Sequence, residues 1–173
     1  MNTQIVSSIQ TFKPRPSAGW LSLLLMAGVI LALGVAPVLA AGGSSTSALI
    51  TLVILVPVAS AFLVLALWFP SMRYELGPDQ IVLRYGPVLT YRIPYREIRT
   101  IRRRNLSLTV WSTVRFPGIA LFKVPYADAG EVKMCASAAL NNILLIETAK
   151  EKFGLTPADE DAFVAAVQTR MEG

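Results

Sequence analysis

Five arginines crowd nine residues of the chain: Arg96, Arg99, Arg102, Arg103 and Arg104, with Glu97 the lone acid among them. A guanidinium keeps its charge and presents a rigid fork of N–H donors that suits phosphate and carboxylate oxygens. Such a run has two readings. It can lie on anionic lipid headgroups, an attraction of ~1 kcal/mol for each arginine near the surface. Or it is a solvated strand edge whose charges discourage edge-to-edge pairing. Nucleic acid is not an expected partner, because thirteen Lys and Arg beyond Arg73 face eleven Asp and Glu and leave only a small excess.

The remaining reactive residues assemble no catalytic group. The chain has no histidine, which removes the commonest general base and the commonest metal ligand. Asp159, Glu160 and Asp161 are adjacent, as acids at the start of a helix are. The single Cys135 sits in the strand-like stretch EVKMCAS and reads as a small buried thiol that makes no internal disulfide. No phosphate-binding glycine loop, metal-ligand cluster or nucleophile with a base is legible. The expectation is a protein that is not an enzyme, takes no cofactor or metal, and has no small-molecule substrate.

What must position the arginines is a membrane anchor. Apolar residues make up 54% of the chain, charged ones 16%, and the mean hydropathy is +0.54. Residues 21–72 contain no Asp, Glu, Lys or Arg, and every acid lies at Glu75 or later. Two apolar runs, 20–41 and 48–69, each reach the length of about 20 residues that crosses a bilayer as a helix. The stretch GVAPVLAAGGSSTSAL between them has two readings: a signal-peptidase site after Ala40, or the tight loop of a helical hairpin. The apolar run and the segment before it are both long for a signal peptide, which favours the uncleaved hairpin. Lys13 and Arg15 flank the first helix, Arg73 follows the second, and the connection is uncharged. The positive-inside rule then predicts a multi-pass membrane protein with both termini cytoplasmic. Arg73 stays cytoplasmic even if the first helix is cleaved.

Three apolar features remain. Gly28, Ala32 and Ala36 form a small-residue row for close helix packing, against the second helix of the hairpin or against another membrane subunit. In the leader, residues 1–19, the spacing of Ile5, Ile9 and Phe12 predicts a short amphipathic helix that lies in the headgroups or binds a partner. The segment NLSLTVWSTVRFPG is too apolar for an ordinary loop. Its Leu106, Leu108, Val110 and Trp111 are either core strand residues or an apolar patch, which makes Trp111 a candidate lipid or partner contact.

Beyond residue 72 the period changes to two. RYEL and QIVLRY flank Gly-Pro-Asp as a hairpin, and further strands are predicted at 88–93, 96–104, 118–124, 131–137, 142–148 and 152–156. Thr156 then reads as an N-cap with Pro157 in the first helical position, and Phe163, Val164, Val167 and Met171 share one face of a final helix. The motifs Tyr74-Glu75-Leu76, Gly77-Pro78-Asp79-Gln80-Ile81, Tyr91-Arg92-Ile93-Pro94 running into Arg96-Glu97-Ile98, Asn142 to Thr148, and Leu155-Thr156-Pro157 followed by Glu160-Asp161-Ala162-Phe163 occur in that order. Together they resemble the bacterial pleckstrin-homology-like (PH-like) domain family over about residues 72–171. The resemblance implies a PH-like antiparallel β-barrel or sandwich of about seven strands with a C-terminal helix, no catalysis, and an anchor of membrane helices.

The full expectation is a membrane-anchored α+β protein: leader 1–19, transmembrane hairpin 20–72, cytoplasmic PH-like domain 73–173. Its expected role is an accessory subunit that scaffolds or stabilises a larger integral membrane complex, such as a photosynthetic or respiratory one, with other membrane proteins and lipids as partners. The alternative is an anionic-lipid sensor that uses the Arg96–Arg104 run.

Overall fold

The structure, a computed structural model, describes residues 9–40, 46–107 and 115–172. Two long helices come early, α1 (Gly19–Ala40) and α2 (Thr46–Trp68). Both are long and apolar enough to cross a membrane. They pack on each other through Leu23, Ala27 and Gly34 of α1, with Gly34 against Leu52 and Leu55 of α2.

A 3-10 turn (Phe69–Ser71) leads into the β domain. One sheet holds four strands in the order β1 (Gln10–Phe12), β2 (Arg73–Leu76), β3 (Gln80–Tyr85) and β4 (Leu89–Pro94). The other holds six, in the order β5 (Ile98–Arg104), β9 (Ile143–Thr148), β10 (Lys152–Leu155), β8 (Gly130–Ala136), β7 (Ile119–Tyr126) and β6 (Arg115–Phe116). The sheets do not close into a barrel. Nor is the larger one wholly antiparallel: β10 returns from the β9 hairpin to lie beside β8, and the two run parallel.

The main core fills the space between the sheets with Tyr74, Leu76, Ile81, Leu83, Tyr85, Ile93, Leu121, Leu144, Ile146 and Leu155. Alternation puts a second, smaller core on the other face of the six-stranded sheet, where Val124, Tyr126, Val132, Met134, Ile143 and Leu145 meet Leu106. Leu106 is thus a core residue, as one reading of its segment had it. Leu108, Val110 and Trp111 lie outside the described residues.

The final helix, α3 (Glu160–Glu172), stoppers the main core with Phe163 and Val167, both 0% exposed. Its N-cap corrects the sequence reading. Asp159, not Thr156, caps the helix: its carboxylate accepts from the Ala162 N–H at 3.0 Å. Thr156 is buried, where its hydroxyl accepts from the Ser137 N–H and its own N–H donates to the Tyr74 hydroxyl. A side chain already engaged in the core is not free to cap. Met171, expected on the apolar face, is exposed.

The leader is corrected too. Gln10–Phe12 is a strand paired with β2, Phe12 opposite Tyr74 and Gln10 opposite Leu76. Three residues cannot nucleate a stable helix alone, whereas the edge of β2 offers ready hydrogen-bond partners. Strapping continues past β1. The Ala158 N–H donates to the Lys13 carbonyl, the Arg15 N–H to the Thr156 carbonyl, and the Phe12 ring meets Phe163 edge-on at 5.2 Å. The segment before α1 is therefore built into the domain after α2.

Candidate functional site

The arginine run lies on β5, an outer strand of the six-stranded sheet, with Arg96 in the 3-10 turn before it. This placement divides the run. Arg99 sits at a register shift between Ile98 and Thr100, and with Arg96 marks the start of the strand. Arg102, Arg103 and Arg104 end it, six residues and ~20 Å from Ile98 at the ordinary strand rise. Arg103 is not free. It pairs with Glu160 at 2.8 Å and lies 3.9 Å from Asp161, at the start of α3. Hydrogen bonding to Glu160, with that carboxylate's charge, raises the Arg103 pKa. Arg102 and Arg104 are exposed.

The two ends of β5 face different surroundings. The start lies by a cleft of about 700 Å³ lined by Pro78, Asp79, Tyr95, Arg96, Arg170 and Met171. The end adjoins the 137–142 loop: Arg104 pairs with Ile143, Asn105 accepts from the Asn142 N–H, and the Leu106 N–H donates to the Leu140 carbonyl. That loop faces the turn at Phe116, Pro117 and Gly118 across a groove of about 440 Å³ lined by Ala138, Ala139, Leu140 and Asn141.

The same turn reaches the helices. The Ser17 hydroxyl donates to the Gly118 carbonyl at 2.6 Å, and the Ser22 hydroxyl to the Pro117 carbonyl at 2.9 Å. Phe116 meets Phe62 of α2 edge-on, with ring centroids 5.3 Å apart. A Cβ on Gly118 (φ +83°) would stand 2.6 Å from the Gly19 nitrogen, so glycine is required by both conformation and space. On the other sheet the Tyr85 hydroxyl donates to the Leu65 carbonyl, and Gly86 (φ +50°) lies under the Trp68 ring. The domain is docked on the helix pair at several points. Nothing in the sequence pattern flags Phe116 as the anchor, because β6 is two residues long and its partner Phe62 lies in a featureless apolar run.

The other predicted residues are distributed as follows. Gly28, Ala32 and Ala36 are exposed, and a Cβ on Gly28 would meet nothing within 4 Å. This overturns the reading in which the row packs within the hairpin: α2 lies against Leu23, Ala27 and Gly34, about 160° round the helix from the Gly28 row. Ile9 is 68% exposed, Phe12 is half-buried in its own domain, and Ile5 and Trp111 fall outside the described residues. Burial pushes the Cys135 thiol up to about 12, so the thiolate nucleophile is scarce at neutral pH. Among the described residues no group of His, Cys, Asp and Glu is placed to hold a metal ion.

Two packed sheets stoppered by a C-terminal helix define a pleckstrin-homology-type module, here carried on a pair of apolar helices. The chain belongs to the bacterial PH domain family, whose model matches residues 72–171. No curated protein and no solved structure matches it.

Proposed function

We propose that the chain is a non-enzymatic subunit whose helix pair spans the bacterial inner membrane, with both termini cytoplasmic, and whose PH-like domain scaffolds a larger integral membrane complex. One observation carries this reading: the Gly28, Ala32 and Ala36 row points away from α2. Small residues let helix backbones approach closely, and this row offers that surface to a helix from another protein. Firm docking of the domain on the hairpin suits a scaffold, since a partner held at α1 then has a fixed relation to the domain.

The test is a mild-detergent pull-down of the full chain with mass spectrometry, repeated with Gly28→Leu and Ala32→Leu. Integral membrane proteins recovered with the native chain should be lost from the variants, while the variants stay in the membrane. Identical recovery from all three would sink the scaffold reading.

The exposure of Arg102 and Arg104 at the end of β5 that adjoins the 137–142 loop, across the groove from the Phe116–Gly118 turn, favours a second reading, an anionic-lipid sensor. In that case binding to anionic liposomes falls with salt and with Arg102→Ser and Arg104→Ser. Arg96 and Arg99, at the far end of β5, should then contribute little.

A further inference from the structure

We infer that the groove beside the Phe116–Gly118 turn holds one acyl chain of an anionic phospholipid. The inference rests on the membrane reading above and gives the bound lipid a place. Phe116, Pro117 and Gly118 form one wall of the groove; Ala138, Ala139 and Leu140 form the other. Its volume of about 440 Å³ falls within the usual ~300–1,000 Å³ of small-molecule sites.

Depth decides what fills it. Phe116 packs on Phe62, which lies six residues, or ~9 Å along the axis, inside the Trp68 end of α2. Pro117 is held by Ser22, in the first turn of α1. Trp20, 46% exposed in the first turn of α1, is the ring type that settles at headgroup level. The wall carrying Phe116 therefore lies on the hydrocarbon side of that level, continuous with the apolar surface of α2. A lipid lying along the helix pair reaches the groove without leaving hydrocarbon.

The choice of headgroup follows from the far wall. Asn105 and Leu106 bond to Asn142 and Leu140, so exposed Arg104 stands beside the groove loop. Its guanidinium suits a phosphodiester. Asp128, whose carboxylate accepts from the Ser107 N–H, lies within electrostatic reach of Arg104 and offsets part of that charge. Shape thus supplies most of the binding, and charge supplies the preference.

The test uses the full chain, delipidated in dodecyl maltoside and titrated with phosphatidylglycerol or phosphatidylcholine under native mass spectrometry. One saturable phosphatidylglycerol should be retained. Ala139→Trp fills the groove and should weaken retention by about tenfold or more, since each displaced methylene is worth a factor of about four. Arg104→Ser should lower phosphatidylglycerol binding by about fivefold and leave phosphatidylcholine unchanged. A thermal melt checks each variant. If Ala139→Trp is unfolded, Leu140→Ser, on the same wall, decides by the same readout. A native chain with only a statistical spread of adducts, or a folded groove variant that keeps its lipid, overturns the inference. Release of the native chain from membranes by alkaline carbonate would be a different failure, that of the membrane reading itself.

Discussion

Gly19 and Gly118 meet backbone to backbone: a methyl group on Gly19 would stand 2.2 Å from the Gly118 carbonyl oxygen. That approach seats the β domain on the first turn of α1. Alanine favours a helix over glycine by ~1 kcal/mol, so any loss from Gly19→Ala must come from the clash. The expected loss is ~1–3 kcal/mol, read as a lower melting temperature in detergent with faster tryptic cleavage near the helix ends. Gly28→Ala, with open space around it, should not destabilise. Equal melting of Gly19→Ala and the native chain would mean the contact does not hold the domain.

Phe163 is fully buried between two rings, Phe12 at 5.2 Å and Tyr74 at 6.2 Å. Phe163→Ala should cost ~3–5 kcal/mol in denaturant unfolding. A loss below ~0.5 kcal/mol would show that the surroundings collapse to fill the space.

Alkaline pH should unfold the domain earlier than ordinary tyrosines and cysteines require. Burial raises the Cys135 thiol from 9.0 to about 12, and raises Tyr91 and Tyr95 from 10.0 to about 12. In the pH range between these values the native state holds protons that the unfolded chain has released. Stability is therefore fully present below about pH 9 and is lost as pH rises toward about 12, each group contributing a slope of up to ~1.4 kcal/mol per pH unit. Denaturant midpoints measured from pH 7 to 11 check this, and a flat profile contradicts it. Cys135→Ala should make the decline begin nearer pH 10.

Topology is testable with the native cysteine in place, because Cys135 is 0% exposed and its thiol stays protonated. Cysteines placed at exposed Thr46 and exposed Ser107 should label from opposite sides of the inner membrane, Thr46 from outside. Labelling from the same side would rule out a spanning hairpin.

Much of the β domain was legible because turns such as Gly77-Pro78-Asp79 punctuate runs of period two, and β2 to β5 and β7 to β10 follow that pattern, whereas β1 and β6 add to the seven or so strands expected. What was not legible depended on partners far away in sequence. Ile9 and Phe12 have helical spacing, yet Gln10–Phe12 becomes a strand because β2, some sixty residues on, presents an open edge. Thr156 and Asp159 are both good caps, and only the buried Ser137 and Tyr74 decide between them. The spacing of Gly28, Ala32 and Ala36 defines a face but does not say which way α2 lies. In the arginine run, composition marks a strand edge, while the Glu160 that occupies Arg103 lies fifty-seven residues away.

The pairing of β1 with β2 has a consequence for biogenesis. Residues 10–12 leave the ribosome before either helix, and their partner at 73–76 leaves after both. The sheet edge therefore stays unfinished until the second helix is made, and the non-local pairing forms late. Once formed, it ties the chain into a ring around the helix pair, with the β1–β2 ladder as its clasp. A force that draws α1 away from α2 is borne along that ladder as shear and passes through Phe12 to Phe163, so separation of the helices in the bilayer is felt at the stopper of the main core.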